Sequence, residues 1–259
     1  MLLFIVIFIG IIFIFPYIPL ILYSFSNSWE YTSIFPNNLS LKWWKYVFSQ
    51  PITYKAIFYS FIIAIIVALI NLIIGLPAAN ALVKDKFKGS KFFEYAMFAP
   101  IIIPPIISVM GIHFIFIKLN LVENIIGVIL IHIIPTFPYM LRTLILGYKN
   151  FDFNYEKVAT LYGASSFQKY LLISLPMLMP SILSGIMLTL LISFSNYILT
   201  YMIGGGRIIT LPLVTFPYIV GGNRAIGAVY VISFVVLNII SVIFIEKTLK
   251  VLYRKNEKS

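Results

Sequence analysis

Side chains able to do chemistry are few in this 259-residue sequence, and they gather in one stretch. Between two apolar runs lies KNFDFNYEKVATLYGASSFQKYLLISLPMLMP, Lys149 to Pro180, with adjacent charges at Glu156 and Lys157, a glycine at Gly163 and a proline at Pro176. Asp152 or Asn154 can cap a short helix that runs through Tyr162 and is ended by Gly163. Ser165 or Ser166 can cap a second short helix, which Pro176 must interrupt or bend. The chemistry offered by a helix, a tight turn and a helix is recognition. Val158, Leu161, Phe167 and Leu171 can enter a partner's groove, or the same residues form an ordinary amphipathic loop packed on their own bundle.

Elsewhere the sequence argues against bond-making chemistry. There is no cysteine, which excludes a disulfide framework and a Cys-based metal or redox site. His113 and His132 lie in different apolar runs without acidic companions, so each reads as a satisfied interior histidine or a polar interhelical contact, and no metal ligand set is expected. No G-x-x-x-x-G-K-[ST] phosphate loop occurs, and the run Gly204-Gly205-Gly206 leads to Arg207. An intramembrane enzyme would need a convergent nucleophile and base. An ion-coupled secondary transporter would need intramembrane charges or a repeat with matching broken helices. Neither pattern is visible.

The elements that must position the loop are membrane helices. With 61% hydrophobic and 10% charged residues and a mean hydropathy of +1.02, the chain is far more apolar than a soluble domain. Runs long enough to cross a bilayer fall near residues 2–24, 56–83, 93–117, 124–146, 180–202 and 225–245. The first lacks a basic leader and a small-residue cleavage site, so it reads as a retained helix with a kink at Pro16 or Pro19. With the N-terminus inside, thirteen of the nineteen basic residues fall on the inner side, led by Lys84, Lys86, Lys88 and Lys91 and ending at Lys258. The outer side holds Lys42, Lys45, Lys55, Lys118, Arg207 and Arg224. The asymmetry predicts both termini in the cytoplasm and turns the net charge of +11 into an orientation signal, with no nucleic-acid partner. Leu41, Trp44 and Phe48 recur at helical spacing and predict a short interfacial helix on the outer surface.

The spacing Glu156-Lys157-Val158-Ala159, then Gly163-Ala164-Ser165, then Ile173-Ser174-Leu175-Pro176 resembles the EAA loop of permease subunits in type I ABC importers. That pattern is Glu-Ala-Ala, three residues, Gly, nine residues, Ile-x-Leu-Pro. Six spans with this loop, residues 149–178, between the fourth and fifth is the family layout. Counting back from Gly163, the motif glutamate falls on Lys157 and its alanines on Val158 and Ala159. Glu156 stands one position earlier, and we read it as carrying the acidic role. The resemblance implies an all-α permease fold over residues 1–259 in a bacterial-type cytoplasmic membrane. It also implies a separate ATPase subunit that binds ATP and Mg and receives the loop, a second permease copy or paralogue, and an extracytoplasmic solute-binding protein. No cofactor is expected in this chain itself. Gly147 to Pro176 and GGGRIITLPL, Gly204 to Leu213, look most like polyamine permeases, with thiamine and ferric-ion systems next.

Candidates for the translocation pathway are polar residues and backbone breaks inside the spans. Asn196 follows Ser193 and Ser195 in the fifth span, which lines the route in the family, and Pro104 belongs with Pro100 and Pro105 to a proline-rich third span. Pro135 and Pro138 similarly remove hydrogen bonds from the fourth. Asn71, Asn80 and Asn238 join Asn196 as interhelical partners or pathway groups.

Overall fold

The computed structural model describes residues 8, 10–29, 33–36, 38–85 and 87–256, and its regular structure is all helix, with one isolated antiparallel bridge between Ser26 and Leu39. Residues 2–7 and 9 of the first expected span, and Lys86 and Lys258 of the inner basic set, lie outside the described residues. Among the described residues four helical stretches have the length and apolarity to cross a bilayer: Pro51–Lys84, Ile125–Lys149, Ser166–Ser195 and Arg224–Lys247. A fifth crossing is available if the bent pair Ser90–Ile102 and Pro105–Lys118 is one span. The contacts divide the chain into two compact units, one from Met1–Tyr59 with Ile209–Leu237 and one from Ser60–Ile208 with Asn238–Ser259.

In the first unit, helix α1 (Tyr17–Ser24) follows a turn at Phe15 and Pro16, where a proline ring cannot continue the preceding helix. Helix α2 (Lys42–Ser49) is the short amphipathic helix read from the sequence. Val47 is its buried anchor, Trp44 stacks on Phe48, and the Lys42 ammonium sits 4.7 Å from the Trp43 ring centre. Helix α3 (Pro51–Asn80) begins in this unit, which also holds residues 211–220 and the start of the last helix. Their core is Val47, Ala56, Leu211, Val214, Ile226, Val229 and Tyr230. Thr53 donates to Val47 O at 2.6 Å, so the 3.0 Å contact with Tyr230 is made by the tyrosine hydroxyl donating to Thr53 Oγ1.

The second unit is arranged around a helix with one fully buried face. After α3, a π turn at Ala81–Asp85 leads to α4 (Ser90–Ile102) and α5 (Pro105–Lys118). The sequence predicts kinks in one continuous third span, whereas these helices meet at 103°. Ile103 precedes Pro104, and Pro104 precedes Pro105, so both are driven to extended backbone, ψ 124° and 130°, and the helix ends. Pro105 then starts α5 where its missing N–H has no helical partner to lose. By contrast α6 (Ile125–Lys149), capped by Asn124, runs on through Pro135 and Pro138. Val128, Ile131, Met140, Leu141, Leu144 and Ile145 of α6 are essentially inaccessible. Small residues let its neighbours approach: a Cβ on Gly185 would lie 2.5 Å from Met140 Sδ and Thr143 Oγ1, and one on Gly147 would lie 2.6 Å from Ser181 Oγ.

The chain then forms α7 (Asn154–Leu161), α8 (Ser166–Lys169), a π turn Tyr170–Ser174, α9 (Leu175–Ser195) and α10 (Ile198–Gly204), followed by α11 (Leu211–Val220) and α12 (Arg224–Asn256). The interruption expected at Pro176 takes the form of the π turn just before it. The helix continues without a break from Ser166 to Ser195. The discontinuity in the expected fifth span falls instead at Asn196 and Tyr197, where Asn196 has ψ 94°.

Candidate coupling loop and the polar groups of the spans

In the loop, the backbone turns as its residue types require. Gly163 has φ +83°, a left-handed conformation that a side chain would strain. Gly163 N–H donates to Thr160 O and Ala164 N–H to Ala159 O, both at 3.0 Å, closing the end of α7 in a Schellman arrangement. Of the two candidate caps, Ser165 is the one used. Its Oγ accepts from Gln168 N at 3.3 Å while Gln168 Oε1 accepts from Ser165 N at 2.8 Å. Asp152 Oδ1 accepts from Asn154 N at 3.0 Å at the entrance to α7. Lys169 Nζ donates to Thr160 Oγ1 at 2.9 Å, tying α8 to α7.

Glu156 anchors this unit. Its Oε2 accepts from Lys84 Nζ at 2.9 Å and its Oε1 from Ser174 Oγ at 2.7 Å. Both partners stand on π turns, Lys84 in Ala81–Asp85 and Ser174 in Tyr170–Ser174, so one carboxylate grips two irregular helix ends. Burial pushes the Glu156 carboxyl up, but hydrogen bonds from Ser174 and Lys84 and the positive charges of Lys84 and Lys169 outweigh it, holding it below the usual glutamate value. Lys84 also lies 5.1 Å from the centre of the Phe153 ring, which packs edge-on against Phe151 and stacks with Tyr148. Lys157 points the other way, exposed, with Nζ 3.3 Å from Asn154 Oδ1.

The helical period of α7 thus divides the motif. Glu156 and Ala159 face inward, while Lys157, Val158, Leu161 and Tyr162 face out; Leu161 and Tyr162 are 86% and 89% exposed. Phe167 and Leu172 extend the apolar surface. Gly163 and Ser165 are exposed, Ala164, Ile173, Leu175 and Pro176 are half-buried, and Ser174 is buried. An apolar patch on a loop otherwise held by polar bonds suits a docking surface. Sequence reasoning missed Lys84, Ser174, Thr160 and Lys169 as parts of this unit. In the sequence Lys84 reads as part of the orientation signal, and Ser174 occupies the unspecified position of Ile-x-Leu-Pro. Opposite charges assigned to one side of the bilayer are the signal that pairs Lys84 with Glu156.

The pathway candidates are not brought to one cavity. Pro104 lies exposed at the 103° bend. A small cleft beside it is lined by Pro100, Ile103, Pro105, Ile131, Pro135 and Leu199. Ser193 is buried on His132, whose Nδ1 is 2.9 Å from Ser193 Oγ and whose Nε2 is 2.9 Å from Thr200 Oγ1, making it the polar interhelical contact expected. Asn196 stands in the break, half-buried, with a buried Nδ2 that has no hydrogen-bond partner among the described residues. Asn71 donates to Thr136 Oγ1 at 2.8 Å. Two further ion pairs join helix ends: Glu94 with Arg142 at 3.9 Å and Glu123 with Arg207 at 2.9 Å. Among the described residues no cluster of three or more His, Cys, Asp or Glu side chains is placed to hold a metal ion.

Residues 71–247 match the family model described as "Binding-protein-dependent transport system inner membrane component". The chain is 26% identical over 221 residues to the putrescine transport system permease protein PotI of Escherichia coli (strain K12), covering 82% of this chain and 78% of that protein. It is 25% identical over 234 residues to the spermidine/putrescine transport system permease protein PotC of the same strain, covering 88% and 86%. In fold it is similar to a chain of a bacterial ABC transporter involved in import of the acidic polysaccharide alginate, with a TM-score of 0.69 at 15% identity over 95% of this chain and 92% of that one. With the match spanning the helices that carry the loop and the His132 contacts, the chain belongs to the binding-protein-dependent transport system inner membrane components and is a permease subunit of an ABC importer.

Proposed function

We propose that this permease couples ATP hydrolysis by a separate ATPase subunit to uptake of a solute handed over by an extracytoplasmic binding protein, through the loop at residues 149–178. The observation that carries the reading is the two-faced α7. Glu156 fastens the helix to Lys84 and Ser174, while Val158, Leu161 and Tyr162 stand outside for a partner. A loop so tied moves as a body with the ends of α3 and α9, so force applied to its outer face reaches those helices. Glu156, Lys157, Val158, Ala159, Gly163, Ala164, Ser165, Ile173, Leu175 and Pro176 form the docking unit, with Glu156 in the acidic role. ATP and Mg bind to the ATPase, and this chain has no hydrolytic site of its own. A second permease, a copy or a paralogue, completes the pathway, to which Asn196, Ser193 and Pro104 contribute.

Three ion pairs among the described residues agree with the assignment of helix ends to sides, whichever way round the chain sits, and the cytoplasmic placement of both termini rests on the asymmetry of basic residues. Lys84–Glu156 and Glu94–Arg142 each join helix ends assigned to the inner side, and Glu123–Arg207 joins two assigned to the outer side. The polyamine permeases among its relatives make a polyamine such as putrescine the substrate we propose. Co-purification tests the core of the reading. The chain should retain an ATPase subunit through detergent extraction and lose it when Gly163 and its flanking helices are replaced by a flexible linker. Active transport reconstituted from this chain alone would refute it.

A further inference from the structure

The break between α9 and α10 is bridged by one side chain from another helix. His132 is 1% exposed on α6, and its two ring nitrogens reach hydroxyls on opposite sides of the break: Ser193, near the end of α9, and Thr200, within the first turn of α10. Counting hydrogens fixes the direction of each bond. Thr200 has one hydroxyl proton, and it goes to Asn196 O at 2.8 Å, so Nε2–H of His132 donates to Thr200 Oγ1. A neutral ring then has only a lone pair on Nδ1, and Ser193 Oγ–H donates to it. The same counting extends the chain backwards. Thr136 spends its proton on His132 O at 2.6 Å, so it accepts from Asn71 Nδ2 on α3. A single line of bonds therefore joins α3, α6, α9 and α10. It also holds the carbonyl of Asn196, the residue in the break whose Nδ2 is left without a partner among the described residues.

We infer that His132 is a latch across a hinge at Asn196 and Tyr197, fixing the angle between α9 and α10 in this conformation. Release of one of its two bonds loosens the start of α10 at Asn196, while α9 stays packed on α6 through Gly185 and the far end of α10 stays tied by Glu123 N–H donating to Ile203 O at 2.7 Å. His132 is thus a positioning residue for the opening of the pathway, an assignment that rests on the permease reading only for what the hinge opens. The backbone leaves helical geometry at Asn196, with ψ 94°, while Tyr197 already has helical dihedrals, so the bend is concentrated at one residue.

The absence of native cysteine allows a direct test. Ser184→Cys on α9 and Tyr201→Cys on α10, both exposed, provide a unique spin-label pair across the hinge. Double electron–electron resonance on the full chain in lipid nanodiscs should give one narrow distance distribution. His132→Ala should widen it about two-fold or split it, with Ser193→Ala, which deletes one bond, in between, and Thr200→Val, which deletes both the His132 bond and the one to Asn196 O, close to His132→Ala. His132→Gln, which offers an amide donor and acceptor, should narrow it again. If His132→Ala does not fold, Ser193→Ala and Thr200→Val decide. Distributions identical to the parent in Ser193→Ala and Thr200→Val overturn the latch. In complexes co-purified with the ATPase, the loosened hinge should lower putrescine uptake per ATP hydrolysed by about five-fold or more. A hinge that widens in a chain that never binds an ATPase supports the latch and defeats the permease coupling. An unchanged hinge with intact uptake does the opposite.

Discussion

The loop at residues 149–178 and the Asn196 break solve one problem in two surroundings. Each is a place where a helix is interrupted and a side chain from elsewhere must hold the pieces. At the loop, where water reaches, the holder is a charge: Glu156 grips Lys84 and Ser174, with Lys84 46% and Glu156 20% exposed. Between α9 and α10 the holder is a buried imidazole satisfied by two hydroxyls, and a charge at the centre of a membrane helix would cost about 2.5–3.5 kcal/mol even on insertion scales. The difference teaches that charge in this molecule is placed by dielectric: it is used where a partner can be found in water, and neutral bonds with fixed donors are used where it cannot.

Putting a charge in the wrong region should have the largest effect. Ser193→Asp sets a carboxylate in the buried network, and we expect about 2.5–3.5 kcal/mol of destabilisation, read as a lower unfolding temperature in detergent. A variant as stable as the parent would end the contrast. Next comes removal of the charge from the region that uses it. Glu156→Ala should cost roughly 1 kcal/mol locally, discounted for its partial exposure, and markedly reduce the ATPase recovered by pull-down. Acid should reproduce that loss. Because the folded Glu156 carboxyl lies below its ordinary 4.5, its bonds contribute fully above that pH and disappear as pH falls through the lower folded value. ATPase retention should therefore be flat from neutral pH to about 5, then fall, and the Glu156-dependent part of that fall should be absent in Glu156→Gln.

Salt is a milder probe. At about 1 M ionic strength the Debye length is near 3 Å, so the exposed Lys84–Glu156 pair should weaken by a few tenths of a kcal/mol while the hinge distance across Asn196 stays unchanged. The smallest expected effect is that of Lys157→Ala, within about 0.5 kcal/mol in stability, since Lys157 is exposed and bonds only within α7. If Lys157→Ala abolishes ATPase binding while Glu156→Ala does not, Glu156 does not carry the acidic role.

Much of this was legible in the sequence because it depends on local rules. Caps, the glycine turn and the apolar face of the loop are set by neighbours a few residues apart, and Ser165, Gly163, Val158 and Leu161 act as their types and spacing imply. The helical runs were legible because lipid leaves few alternatives for a backbone. What escaped is what depends on registry between distant segments. Nothing near Lys84 in the chain says that Glu156 will meet it, and nothing near His132 says that both its nitrogens will find hydroxyls, at Ser193 and Thr200. The proline-rich third span shows a subtler limit. Three prolines in six residues promised a weakened helix, but the sharp bend comes from their adjacency at Pro104 and Pro105, which forces two successive extended residues. Pro135 and Pro138, three apart, leave α6 continuous.

The π turn at Tyr170–Ser174 also sets an azimuth. Widening a helical turn by one residue rotates everything beyond it by about 100° relative to an uninterrupted helix. Ser193 meets His132, and Gly185 meets Met140, because α9 is wound to that phase some fifteen Å and more upstream, beside the loop. Deleting one residue from Tyr170–Ser174 would leave every side chain of α9 intact and aim them all at the wrong neighbours.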